Sequence, residues 1–217
     1  MKNKQFTLDE QAVFDQILKA RRDVRGNYFI DKEVSEEVVD KILSAAVSAP
    51  SVGYSQPWEF VVIRDLGIKN EIAQNFVIEN EKAKSKFDEK QAQYVSLKLE
   101  GIKEAPVNIA VFYKPSTEPV LGQTSMPKMG EYSVVCAVQN MWLMARALNV
   151  GIGWVSILDP ESVKKTLNAP AENQLIAYLC VGYVDEFIDK PELEVLKWAE
   201  KKSQNSLIRH NRYCDSD

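Results

Sequence analysis

The stretch YSVVCAVQNMWLMARALNVGIGWVSILDP, residues 132–160, decides the fold. Its first half is apolar on nearly every side at helical spacing. That marks a helix over 132–148 buried in a core or a subunit interface rather than lying on a surface. Its second half changes period: 152–158 reads as a short strand, and Asp159-Pro160 supplies a cap and a first-turn proline for another helix. Helices that separate most of the strands make an α+β layered domain the natural class.

The segments upstream fit such a layered domain. Thr7 and Glu10 form a capping-box pattern ahead of Val13, Phe14, Ile17 and Leu18, so 7–20 predicts an amphipathic helix running into ARRDVR at 20–25. A second helix is expected after Ser35, with Glu36 and Glu37 at its positive end and Val38, Val39, Ile42, Leu43 and Ala46 as its stripe. Pro50 stops it. Strands are expected over 59–64, 107–113 and 175–183, with a long helix-favouring region over 68–102. Between 114 and 130, Pro115, Pro119, Gly122, Pro127 and Gly130 destroy any period, giving a loop longer than a connector needs and of the kind that acts as a lid. Residues 190–217 read as a charged C-terminal extension. The class is α+β, one domain over 1–217, with the sheet order left open.

Composition removes several functions. Basic and acidic residues nearly cancel, 27 against 31, so nothing draws the chain generally to nucleic acid or anionic membranes. The N-terminus has no apolar signal core and no stretch reaches about 18 uninterrupted apolar residues, so a cytoplasmic protein without a membrane span is expected. Cys136, Cys180 and Cys214 are widely spaced with no CxxC pair, which predicts reduced thiols. His210 is the one histidine, so a two-histidine metal site within one chain is impossible and a Ser-His-Asp arrangement would need His210. No metal site is expected, and an enzyme built this way takes its chemistry from an organic cofactor.

Three clusters remain. Arg21, Arg22 and Arg25 surround Asp23, and guanidiniums so close can grip a phosphate and the polar edge of a planar ring. A solvated basic helix end accounts for them equally, with Asp23 simply neutralising charge. APSVGYSQPW, 49–58, is rich in residues that shape backbone and bring main-chain groups close to a flat ligand, or form an ordinary turn. GIGWVSI, 151–157, contains GxG but lacks the third glycine and following helix of a dinucleotide fingerprint. Its Ser156 is either a hydroxyl satisfied by backbone or a donor to a cofactor.

Taken in order, ARRDVR, APSVGYSQPW, LKLEGIKEAPVNIAV, the 132–160 stretch and AYLCVGY resemble the nitroreductase superfamily over roughly residues 14–200, and within it the 5,6-dimethylbenzimidazole synthase branch. Asp23, LKLEGIKEAP and GWVSILDP carry the branch resemblance; ordinary nitroreductases commonly have Ser or Thr in the arginine motif, and many have Asn where this chain has Tyr54. The resemblance implies an FMN-binding fold with a central, mostly antiparallel sheet flanked by helices, in an intertwined homodimer. It implies that Arg21, Arg22 and Arg25 hold the flavin, that Pro50, Ser51 and Val52 reach it from the opposite subunit, and that Lys202 completes the phosphate site. Asp23 and Ser156 become the catalytic pair, with Ser156 also touching the flavin. The implied reaction consumes reduced FMN and O2 and yields 5,6-dimethylbenzimidazole and D-erythrose 4-phosphate, with NAD(P)H or a separate flavin reductase as the source of electrons. The alternatives are an FMN-dependent NAD(P)H nitroreductase or quinone reductase, and a flavin carrier without turnover.

Overall fold

Four strands, among the described residues, form an antiparallel sheet: β1 (Trp58–Ile63), β2 (Val107–Tyr113), β3 (Gly151–Val155) and β4 (Gln174–Gly182), in the order β1-β2-β4-β3. The structure is a computed structural model and describes residues 3–213, so Cys214 and the end of the 190–217 extension lie outside the described residues. Val107, Ile109, Val111, Leu179 and Val181 pack on one face against α2 (Glu36–Val47) and α5 (Met129–Ala147), through Ile42, Ala46, Val134 and Met141. Ala110, Phe112, Tyr178 and Cys180 pack on the other against α3 (Leu66–Lys84) and α6 (Pro160–Thr166), through Ile72, Phe76 and Val163. Burial on both faces is why the two central strands read as unbroken apolar runs rather than alternating ones. Their one fully buried amide, Asn108, donates to Tyr178 Oη at 2.9 Å and to the Ile102 carbonyl at 3.0 Å.

The helices match the sequence in place but not always in use. The first, α1 (Leu8–Ala20), starts at Thr7 with both halves of the capping box formed, yet none of its residues is buried. Val13 and Phe14 stay about half exposed, and Leu18 44% exposed. On α5, Val134, Ala137, Val138, Met141 and Ala145 are buried, whereas Tyr132, Val135 and Cys136 are exposed. This helix also begins earlier than its apolar pattern: Gly130 lies within it, in a position where a side chain would collide with the Tyr113 ring. The irregular loop therefore ends at Lys128.

Two readings are corrected by local hydrogen bonding. The helix-favouring region 68–102 divides into α3 and a short α4 (Gln91–Ser96), and 97–106 is irregular because Glu100 and Gly101 are engaged with residues 25–29. Strand β3 stops at Val155, where pairing with β4 ends opposite Tyr178. Just beyond, the Asn75 amide group brackets Asp159, accepting from its N–H at 2.9 Å and donating to its carbonyl at 3.1 Å.

The chain divides into two units, 1–187 and 188–217. The first carries the sheet and α1 to α6. Within the second are a short helix, α7 (Glu192–Val195), and Lys202, whose side chain is exposed.

Candidate active site

With β3 at the end of the sheet, its outer edge has backbone groups to satisfy, and the arginine segment satisfies them. Asp23 bridges Ile152 in parallel fashion, and Val24 N–H donates to the Ile152 carbonyl at 3.0 Å. One step further along the strand, the Trp154 N–H donates not to a backbone carbonyl but to Asp23 Oδ1, at 2.8 Å. The carboxylate thus completes the strand edge. Gly153 makes this approach possible, because a Cβ there would lie on the Val24 carbonyl oxygen. The GxG pattern is therefore a close-packing device and not a phosphate loop.

Asp23 Oδ2 is ion-paired with the Arg25 guanidinium, which also donates from Nη1 to the Leu99 carbonyl at 3.3 Å. Burial pushes the Asp23 carboxyl above the ordinary carboxylate range, against the downward pull of Arg25, the Trp154 amide and Arg21. Arg21 stacks its guanidinium on the Trp142 ring, 4.7 Å from the centroid. Its pKa is lowered, first by burial and further by neighbouring Arg22, while Asp23 opposes both. Arg22 donates from Nη1 to the Lys19 and Arg21 carbonyls, each at 2.7 Å, and guanidiniums clustered in this way are the donor type that grips phosphate.

Trp142, read from the sequence only as part of a helix buried in a core or a subunit interface, is the buttress of this site. Its Nε1–H is shared between the Arg22 and Ile152 carbonyls, each at 3.0 Å, and Arg146 Nε donates to the Ala20 carbonyl at 3.1 Å. A tryptophan on an apolar helix carries no sequence signal for that task. Ser156 follows Trp154 by two residues, within about 7 Å of it from Cα to Cα. It is exposed.

Pro50, Ser51 and Val52 sit elsewhere along the same helix, α5. Val52 N–H donates to Ser133 Oγ at 3.1 Å, and Ser51 Oγ accepts from Gln56 N–H at 3.0 Å. Gly53, Tyr54 and Gln56 all have positive φ, and the Ser55 hydroxyl is buried without a partner. Ser133 and Trp142 are nine residues apart on α5, about 13.5 Å along its axis. The structure thus joins Arg21, Asp23, Arg25 and the strand leading to Ser156 at one end of α5, and Pro50, Ser51 and Val52 at the other. Between the 53–59 stretch and the 113–123 loop lies a cleft of about 780 Å³ lined by Trp58, Tyr113, Lys114 and Gln123 among others.

The profile of the nitroreductase family matches residues 18–183. The chain belongs to that family. As a nitroreductase-family protein it is an oxidoreductase, and its antiparallel sheet with flanking helices is the family's fold. The chain is similar to the 5,6-dimethylbenzimidazole synthase of Rhodospirillum rubrum, 44% identical over 87% of this chain and 90% of the relative. It is also similar to the enzyme of that name from Rhodobacter capsulatus, 37% identical over 90% and 95%. Among solved structures, oxidized iodotyrosine deiodinase bound to FMN and 3-iodo-L-tyrosine superimposes with a TM-score of 0.70 at 23% identity, covering 92% of this chain and all of that one. Among the described residues, no helix of this family member is long and apolar enough to cross a membrane.

Proposed function

We propose that this protein binds FMN between two protomers and, with the flavin reduced and O2 as co-substrate, converts it to 5,6-dimethylbenzimidazole and D-erythrose 4-phosphate, the former serving as the lower ligand of cobalamin. The observation that carries the reading is Asp23: a carboxyl raised by burial, fixed by the Trp154 amide and Arg25, inside the segment that supplies the anion-binding arginines. Similarity to two dimethylbenzimidazole synthases supports it independently.

Bound reduced FMN supplies the reactive ring and the electrons for oxygen. The chain supplies position and proton control. Arg21, Arg22 and Arg25 hold the phosphate and ring edge. Pro50, Ser51 and Val52 of the partner subunit close the other side; their separation from the arginines along α5 and the uncovered apolar face of α1 both favour a second protomer. Asp23 takes up and returns protons as the ring is dismantled, since a carboxyl above its ordinary range exchanges them nearer to neutrality. The Ser156 hydroxyl hydrogen-bonds the flavin near the reacting atoms. The 114–128 loop covers the site and excludes water. Electrons come from NAD(P)H or from a separate flavin reductase.

Purified protein given reduced FMN in air is expected to consume the flavin and release dimethylbenzimidazole, read by chromatography. Asp23→Asn is expected to keep FMN affinity within about threefold while product formation falls by about 100-fold or more. Intact, reoxidised FMN after many equivalents of reductant would overturn the proposal in favour of an NAD(P)H nitroreductase or quinone reductase.

A further inference from the structure

LKLEGIKE, residues 97–104, lies against the arginine segment through two successive backbone carbonyls: Leu99 accepts from Arg25 Nη1 at 3.3 Å and Glu100 from Gly26 N–H at 2.8 Å. The approach is glycine to glycine. A Cβ on Gly101 would meet Phe29 at 2.7 Å and the Gly26 backbone at 3.1 Å, and one on Gly26 would meet Lys98 and Glu104 at 2.8 Å. The turn keeps its shape through the Glu100 side chain, which is 14% exposed. Glu100 Oε2 accepts from the Ile102 N–H at 2.8 Å, and Oε1 accepts from Lys98 Nζ at 2.7 Å; Lys98 reaches on to Glu104 at 2.8 Å.

We propose that residues 97–104 are a positioning strap that fixes the Arg25 guanidinium against Asp23, and that Glu100 is the residue that holds the strap in shape. The physical chain is short. Glu100 ties the turn, the turn presents the Leu99 carbonyl, that carbonyl orients Arg25, and Arg25 sets how readily Asp23 carries charge. The groups facing Asp23 are Arg21 and Arg25 from its own segment, the Trp154 amide from β3 and, from β4, the Cys180 thiol, which burial pushes up and keeps neutral. Glu100 acts on Asp23 through Arg25 and is a positioning residue.

The inference rests on the reading of Asp23 as the proton-handling group, and its test needs neither reduced flavin nor oxygen. Full-length protein carrying 13C-carboxyl aspartate is titrated by NMR, with the Asp23 signal assigned as the one absent from Asp23→Asn. Loosening Arg25 by Glu100→Ala is expected to raise the Asp23 midpoint by about one unit. Glu100→Gln keeps an acceptor for Ile102 N–H and should recover most of that shift. A role in stability alone would lower the unfolding midpoint and leave the titration where it was. An unchanged Asp23 midpoint in folded Glu100→Ala overturns the strap. If that variant does not fold, Glu100→Asp, one methylene too short to hold both partners, is expected to shift the midpoint in the same direction, and no shift there overturns it equally. Product formation undiminished in Asp23→Asn would remove Asp23 from the mechanism while leaving the strap standing, and intact, reoxidised FMN in the wild-type assay would sink the proposed function without touching either titration.

Discussion

The arginine segment at 21–25 and the proline-serine loop at 50–57 both hold on to α5, but they are built on opposite principles. The first is overdetermined: a backbone bridge to Ile152, a hydrogen bond from the Trp154 N–H, a shared indole N–H from Trp142 and an ion pair all fall on five residues. The second hangs on Val52 N–H and the Ser133 hydroxyl, turns through three residues with positive φ and leaves Tyr54 82% exposed. The comparison separates a candidate half-site pinned by residues distant in the chain from one whose shape is set mainly by its own backbone. Chemistry that needs a fixed proton group belongs in the first half. Contact with a flat ligand from outside suits the second.

The comparison breaks most visibly at Gly153. Gly153→Ala places a methyl group on the Val24 carbonyl and must push the arginine segment off β3, so a loss of about 3 kcal/mol in denaturant unfolding is expected, together with weakened FMN binding. Wild-type stability in the Gly153→Ala protein would show that the segment is not pinned to the strand. The two anchors on α5 give a finer contrast. Trp142→Phe removes a donor shared by two carbonyls and should cost about 1–2 kcal/mol, against about 1 kcal/mol or less for Ser133→Ala at the loop end. Equal losses in parallel unfolding curves would erase the distinction.

The smallest expected effect concerns pH. With its folded pKa raised, Asp23 binds a proton more tightly in the folded than in the unfolded chain. Its ionisation therefore lowers stability as pH rises from the ordinary carboxylate value through the raised one, and the cost is fully present above that. Asp23→Asn lacks this dependence. The melting temperature of the variant relative to wild type should therefore climb by about 2 °C across that window and then level off, in thermal scans from acid to neutral pH. A difference that falls with rising pH would mean that Arg25 outweighs burial.

Much of the fold was legible because its signals are local. Thr7 and Glu10 cap α1, Ser35 caps α2 and Asp159-Pro160 opens α6, each within one turn of chain. The 107–113 strand has the bounds that its apolar run predicts. The misjudged edges are those that distant residues set, such as Gly130 against Tyr113, Asn75 around Asp159, and Gly101 against Gly26.

The same division holds for the site. From sequence alone came the arginines with a carboxylate among them, the exclusion of a two-histidine metal site within one chain, and the family likeness, because residue type and spacing are enough for those. Only the tertiary structure made 132–160 more than a buried helix and a strand: it brought Trp142 and the Trp154 amide to the arginine segment and gave Gly153 its reason. Such pairings join residues more than a hundred positions apart, and no short-range pattern records which backbone groups a sheet edge leaves to be satisfied.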